Sequence, residues 1–150
     1  MSEIHRDKIL ELVKDTEHKH SIHPAVRTSE EAASVRGVSL SSGAKALVLT
    51  GRKTGKNILC VIPAQKKVDF KSLKNYFGDE FTFAQSPETL VGCVPGSVPP
   101  FGSVLGLQTV ADLELEDVLN FNIGLLTESV SISKKDYLEL EKPIVGSWCK

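Results

Sequence analysis

Residues 43–64 read GAKALVLTGRKTGKNILCVIPA, two short apolar runs separated by the turn-rich stretch TGRKTGK. Runs of this length, bounded by glycine and charged residues, form buried strands, so the segment predicts a hairpin at the centre of a sheet. Lys45 interrupts the first run. Ala44, Ala46 and Val48 alternate along one face of such a strand, which puts Lys45 on the other, at a sheet edge or in a polar cleft. A partly buried lysine can bind phosphate or polarise a carbonyl, and its proton is easily shifted by its surroundings.

Upstream, Ile4, Ile9, Leu12 and Val13 recur at mostly helical spacing among charged residues, which predicts an amphipathic helix from Ser2 as N-cap to about Asp15. Residues 18–26, HKHSIHPAV, suit a short extended piece. Thr28 or Ser29 can cap a helix whose first turn carries Glu30 and Glu31, and Gly37 is its natural stop. Downstream, residues 68–77 have helical spacing and stop at Gly78, residues 81–84 suit a strand, and Ser86-Pro87 opens another short helix. Strands are predicted at 118–121 and 124–132, then a helix over 133–140. Helices and strands mix without regular βαβ alternation, so one α+β domain over residues 1–150 around a mixed sheet is expected.

Residues 92–106, GCVPGSVPPFGSVLG, hold four glycines and three prolines. That is too many breakers for regular structure, yet the stretch is too apolar for a solvated linker, so a shaped, buried loop is predicted.

Composition excludes several function classes. The chain has 150 residues, 41% hydrophobic and 25% charged, with a formal net charge of -1, which argues against disorder and against a strongly basic nucleic-acid binder. No apolar run approaches the length of a membrane span, and the first fifteen residues lack a secretory pattern, so a cytoplasmic protein is expected. Cys60, Cys93 and Cys149 are odd in number and widely spaced, which suggests neither a disulfide framework nor a zinc site; all three read as structural. His18 and His20 share one face of an extended strand and His23 takes the opposite one, so a three-histidine metal site would need a turn. No metal or cofactor is expected. GxSxG, HExxH, Walker A and GxGxxG patterns are absent, which removes the enzyme classes with the clearest motifs.

Charge is unevenly distributed. Residues 52–74 carry Arg52, Lys53, Lys56, Lys66, Lys67, Lys71 and Lys74 against the single acid Asp69, while residues 112–141 carry eight acids against two lysines. The basic segment is either a phosphate-contacting surface or a solvated lysine-rich face.

Three stretches taken together, TSEEAA at 28–33, GAKALV at 43–48 and GCVPGSVPPFG at 92–102, resemble in order and spacing the YbaK/ProX family of aminoacyl-tRNA editing domains. The resemblance runs from the first helix to about Lys142. It implies a single compact domain with a mixed, partly barrel-like sheet flanked by helices. It also implies a free-standing trans-editing deacylase, similar to the insertion domain of bacterial prolyl-tRNA synthetases, with alanine or cysteine on tRNA(Pro) as the usual substrate. Lys45 matches the family's near-invariant lysine, and the stretch from Gly96 to Gly102, with Ser97, Val98, Pro99, Pro100 and Phe101, matches its pocket loop. Thr28, Ser29 and Glu30 match the segment lining the amino-acid pocket. A synthetase or multi-synthetase complex is a further partner that the resemblance admits, and no membrane partner is expected.

The residues suit ester hydrolysis, which needs a positioned water and donors for the developing oxyanion. Backbone N–H groups of Gly96, Ser97 and Gly102 can supply the donors, while Pro95, Pro99 and Pro100 stiffen the loop. No histidine follows the loop as a general base; in this family the substrate's own 2′-hydroxyl is thought to orient the water. One departure concerns branches that act on alanyl-tRNA, which place a histidine-proline pair before the penultimate strand. Here that region reads LNFNIG, 119–124, which brings Asn122 and Gly124 into the candidate pocket and points towards the YbaK-type branch. Arg52, Lys53, Lys56, Lys66 and Lys67 are the candidate tRNA contacts. The alternative reading is a non-catalytic tRNA- or synthetase-binding module on the same fold.

Overall fold

The computed structural model describes residues 2–25, 30, 31, 34, 42–94 and 96–150. Helix α1 spans Ser2–Val13, strand β1 His18–Ile22, and the predicted hairpin follows as β2 (Ala44–Gly51) and β3 (Asn57–Pro63). Then come α2 (Phe70–Phe77), β4 (Phe81–Phe83), α3 (Pro87–Val91), α4 (Gly102–Leu105), β5 (Gln108–Asp112), β6 (Val118–Asn122), β7 (Glu128–Ser133), α5 (Lys134–Glu141) and β8 (Ile144–Gly146).

The strands form two sheets. One has five strands in the order β4-β2-β3-β5-β8, with β3, β5 and β8 parallel to one another and the remaining pairs antiparallel; the other has three antiparallel strands in the order β1-β7-β6. The mixed sheet is as expected and β2 and β3 are indeed interior strands. The partly barrel-like closure is corrected: among the described residues the two sheets are joined by backbone pairing only at the isolated parallel bridge from Gly43 to Asn120, and they do not close into a barrel.

Apolar side chains on alternate positions of β2 and β3 build two cores. Ala44, Val48, Leu59 and Val61 face the three-stranded sheet, where they join Leu119, Phe121, Val130 and Ile132, with Ile9 and Val13 of α1 and Tyr137 of α5. Leu49, Ile58, Cys60 and Ile62 face the other way, under Leu73 of α2 and the C-terminal Trp148 and Cys149. All three cysteines are free and buried, and burial pushes the Cys60 thiol up to about 12 and that of Cys93 up to about 11, so they are packing groups rather than nucleophiles.

Local signals explain the boundaries. Asp69 caps α2 by accepting hydrogen bonds from the Lys71 and Ser72 amides, and Gly78 ends it in the left-handed conformation at φ 73. Ser133 caps α5 through the Asp136 amide. The hairpin turn is closed from outside: the Asp79 carboxylate accepts from the Lys53 amide at 2.9 Å and from the Thr54 hydroxyl at 2.7 Å.

Three elements escape the sequence reading. β5 is a short strand of mixed polarity, β8 is only three residues long, and α4 is a single turn inside the predicted loop. The helix expected from Thr28 or Ser29 to Gly37 lies mostly outside the described residues, although Glu30, Glu31 and Ser34 are helical.

Candidate functional site

β6 and β7 each carry two chemically different faces. Leu119, Phe121, Val130 and Ile132 enter the core, whereas Asn120 pairs with Ser131 and Asn122 with Ser129 on the opposite face. β1 extends both rows, Lys19 opposite Ser131 and Ser21 opposite Ser129. At the other edge the Gly43–Asn120 bridge brings β2 alongside. The result is a polar floor running across the strands. Asn120, Asn122 and Ser129 are all buried, and buried Ser42 closes the corner by accepting a hydrogen bond from the Asn120 amide at 2.9 Å.

By alternation Lys45 shares a side of β2 with Leu49, and its titratable neighbours there are Lys67 and Cys149. In a parallel bridge partner residues share a face, so Gly43, and two residues on Lys45, lie on the side of Asn120 and Asn122 rather than of the core residues Ala44 and Val48. Lys45 is half-buried, and its ammonium group is held below the usual lysine range, first by burial and then by the nearby charge of Lys67.

The loop over residues 92–102 is built against the floor's far edge. The Gly124 amide donates to the Ser97 carbonyl at 2.8 Å, Gly124 itself having a φ of 102 that disfavours any side chain. Asn122 staples the adjoining turn through its amide to the Leu125 carbonyl at 2.9 Å. Phe101 is fully buried, edge-on to Phe121 and Tyr137, and the Tyr137 hydroxyl donates to the Pro100 carbonyl at 2.7 Å. Pro99 and Pro100 are buried as well, and Val98 is half-buried.

Two of the three expected oxyanion donors are otherwise engaged. Both the amide and the hydroxyl of Ser97 donate to the Val94 carbonyl, at 3.1 and 2.7 Å, so Ser97 shapes the loop instead of presenting a donor. The Gly102 amide donates to the Thr109 hydroxyl at 2.9 Å, and a Cβ at Gly102 would stand 2.2 Å from that oxygen, which makes the glycine a packing requirement. Gly96 is exposed, at a φ of 88. Thr28 and Ser29 lie outside the described residues, and Glu30 is exposed.

The basic residues separate into two groups. Arg52, Lys53 and Lys56 sit at the hairpin turn, where Arg52 approaches Glu80 at 3.8 Å and Lys56 lies over the Phe77 ring. Lys66 and Lys67 follow β3 at its other end, beside Lys45, because the Ala64 amide donates to the Gly43 carbonyl. The length of β2, at about 3.3 Å per residue, keeps the two groups more than ~20 Å apart. The second group lies at the Lys45 end of the hairpin, where Lys66 approaches Glu114 at 3.8 Å and the Lys67 amide donates to the Lys150 carbonyl at 3.0 Å.

The histidines divide as the alternation predicts. His20, on the core face, contacts Glu128 at 2.7 Å, and Arg6 of α1 donates to the same carboxylate at 2.9 Å. Burial opposes the Glu128 charge, but these partners outweigh it and hold the carboxyl below the usual glutamate range. A depressed carboxyl stabilises the fold above its unfolded pKa, and that contribution is lost as pH falls through the folded value. Glu128→Gln is therefore expected to lower the thermal midpoint at pH 7, with the gap to wild type narrowing on acidification; a gap independent of pH would remove the charge from the account. His23 instead reaches the polar floor, its Nε2 lying 2.7 Å from the Ser129 hydroxyl. The sequence reading missed Ser42, Asn120 and Ser129; the signal was the run of small polar residues at every second position of β6 and β7.

Asp112, Glu114 and Cys149 form a group that could hold a metal among the described residues, yet the Asp112 carboxylate already accepts the Trp148 amide at 2.6 Å and the Glu114 amide at 2.7 Å. It therefore reads as a clasp on the C-terminal segment.

Comparison with known proteins gives the family. Residues 23–140 match the family model for the aminoacyl-tRNA editing domain. The chain belongs to that family. The matched span starts at His23 and covers every strand from β2 to β7, so Asn120, Asn122, Ser129 and the loop fall within it while β1 lies before it. The multifunctional Ser/Thr-tRNA deacylase ProXp-y of Escherichia coli K12 is 35% identical over 129 residues, 81% of this chain and 77% of that protein. A proline–tRNA ligase of Thermosipho melanesiensis is 30% identical over 115 residues, 74% of this chain but 20% of the ligase, so the editing domain corresponds to one part of that larger protein. Among solved structures, a candidate trans-editing enzyme for prolyl tRNA synthetase superposes with a TM-score of 0.82 at 22% identity, over 97% of this chain and 96% of that one, which shows a shared fold.

Proposed function

We propose that this protein is a deacylase that hydrolyses the ester between a wrong amino acid and the 3′ end of a tRNA. The observation that carries the reading is the buried polar row of Asn120, Asn122 and Ser129, with the half-buried Lys45 on the strand that bridges to it at Gly43. A floor of amides and hydroxyls beside a desolvated cation suits an aminoacyl ester whose carbonyl oxygen gains negative charge during attack. Water adds to the carbonyl carbon, the carbon–oxygen ester bond breaks, and the departing ribose oxygen takes up the proton. Lys45, with Lys67 nearby, supplies positive charge to the oxyanion or to the terminal phosphate, and the exposed Gly96 offers its amide as the loop donor.

The substrate's side chain is small and hydroxylated. A floor rich in serine and asparagine loses less by meeting a hydroxyl than by meeting the methyl of alanine, because buried polar groups left unpaired are costly. The 35% identical relative that is named a Ser/Thr-tRNA deacylase points the same way. Cysteine and alanine on tRNA(Pro) are the competing pair. A single-turnover assay on seryl-, threonyl-, alanyl- and cysteinyl-tRNA separates them: serine and threonine are expected to be released fastest. Preferential release of alanine or cysteine would overturn the substrate assignment, and binding of tRNA without release of any amino acid would leave a non-catalytic docking module.

A further inference from the structure

Helix α2 has an outer face of one charge sign. Phe70, Leu73 and Phe77 recur at helical spacing and turn inward, Leu73 fully buried among Leu49, Ile58, Cys60 and Ile62. The same spacing leaves Lys71, Lys74 and Asn75 exposed on the other side, and the helix contains no acid. α2 therefore lies on one face of the five-stranded sheet, and by alternation that is the face Lys45 shares with Leu49.

The helix also joins the two basic ends of the hairpin. It follows directly from Lys66 and Lys67, which leave β3 and are held in place by the bridge between Val68 and Cys149. At its C-terminal end Lys56 stands 5.7 Å from the centre of the Phe77 ring, and Lys74 and Arg52 reach the Glu80 carboxylate at 3.0 and 3.8 Å. Positive charge thus recurs along the face from Lys45 and Lys67, over Lys71 and Lys74, to Arg52 and Lys56, for the ~20 Å length of the hairpin. The acids beside it do little to cancel that charge. Asp69 caps the helix and buried Asp79 closes the hairpin turn, while Glu114 and Glu80 meet Lys66 and Lys74 in exposed pairs, which are worth little in water.

We propose that the outer face of α2 is the docking track for the base-paired stem next to the aminoacylated 3′ end of the tRNA, laid so that this end finishes at Lys45. The proposal rests on the deacylase reading and adds to it where the rest of the substrate lies. A duplex carries one phosphate charge for about every 2 Å of its axis, so a stripe of this length faces on the order of ten charges. A long stripe of one sign suits such a rod better than an acidic patch on a globular partner. Exposed lysines contact a phosphate backbone and read no base edges, which makes the docking independent of stem sequence.

The test uses two esters of the amino acid that wild type releases fastest, the intact aminoacyl-tRNA and the aminoacyl ester of its terminal CCA trinucleotide, which lacks the stem. Lys71→Ala/Lys74→Ala is compared with wild type and with Lys8→Ala/Lys135→Ala, which removes equal charge from exposed positions on α1 and α5. The ratio of kcat/KM on tRNA to that on the trinucleotide ester is expected to fall by about tenfold in the α2 variant and to keep its wild-type value in the control. The slope of log kcat/KM against log salt on tRNA should become shallower by about 1 to 2 in the α2 variant. All four lysines are exposed, so thermal midpoints should stay close to that of wild type. An unchanged ratio would overturn the proposal and leave the stripe to an acidic protein partner or to solvent. An equal fall in the control would overturn it as well, because net charge and not this face would be responsible; so would equal loss on both esters, which would tie the lysines to the chemical step. Wild type that hydrolyses neither ester would instead refute the deacylase reading, and binding of uncharged tRNA, measured alongside, would still test the track.

Discussion

Replacing Lys45 by alanine is expected to lower the deacylation rate by about 10- to 1000-fold while leaving the fold intact. The magnitude is that of removing one electrostatic contact to a developing oxyanion or a bound phosphate in a partly desolvated site. Stability should not suffer, because among the described residues the ammonium group has no ion pair, and burial and the charge of Lys67 outweigh the smaller favourable influence of Cys149. A lysine depressed in the fold makes opposite predictions for activity and stability. Between its folded pKa and the ordinary lysine value of 10.5 the folded chain binds fewer protons than the unfolded one, so stability from this group rises with pH across that window. Activity that depends on the charged form falls as pH climbs through the same folded value. Both slopes should vanish in Lys45→Ala, and joint loss of activity and thermal midpoint in that variant would count against a role in the site.

Phe101→Ala should be the most destabilising substitution in the loop, by about 3–5 kcal/mol. The ring is wholly buried, with centroids 5.8 Å from Phe121 on β6 and 5.1 Å from Tyr137 on α5. Its loss empties the point where the loop, the three-stranded sheet and the last helix meet, and edge-on aromatic contacts add to the cost of the cavity. For a chain of this length the thermal midpoint should drop by roughly 6–20 °C. Activity should fall even at temperatures where the variant remains folded, since Phe101 secures the segment that carries Gly96 and Ser97. A change within about 1 kcal/mol would mean that the surroundings collapse onto the vacated space and that the loop is held by other contacts.

Much of the architecture was legible because it depends on local chemistry. The hairpin of β2 and β3 follows from two apolar runs around a glycine turn, and the end of α2 from Gly78, whose left-handed conformation only glycine adopts freely. β5 was not legible, although it is an interior strand. Its parallel partners are remote in sequence, and a five-residue stretch containing Gln108, Thr109 and Asp112 carries no apolar run of its own. Propensity cannot report a pairing that is decided by burial between neighbours.

The candidate site divides in the same way. The alternation around Lys45 was enough to send its side chain away from Ala44 and Val48, and the alternation of the histidines was enough to separate His20 from His23, because the period of a strand is two wherever the strand lies. Which polar groups await those side chains was decided only by the tertiary structure. Glu128 and Ser129 are sequence neighbours, yet one meets His20 and Arg6 on the core face while the other meets His23 on the polar floor. Likewise the glycines and prolines of residues 92–102 announced a shaped loop, but a sequence does not say which amides remain available. Those of Ser97 and Gly102 are taken up by Val94 and Thr109. Strand period and backbone freedom are properties of a residue and its neighbours, so the sequence alone determined them. Hydrogen-bond partnership depends on distances between segments that only the folded chain brings together.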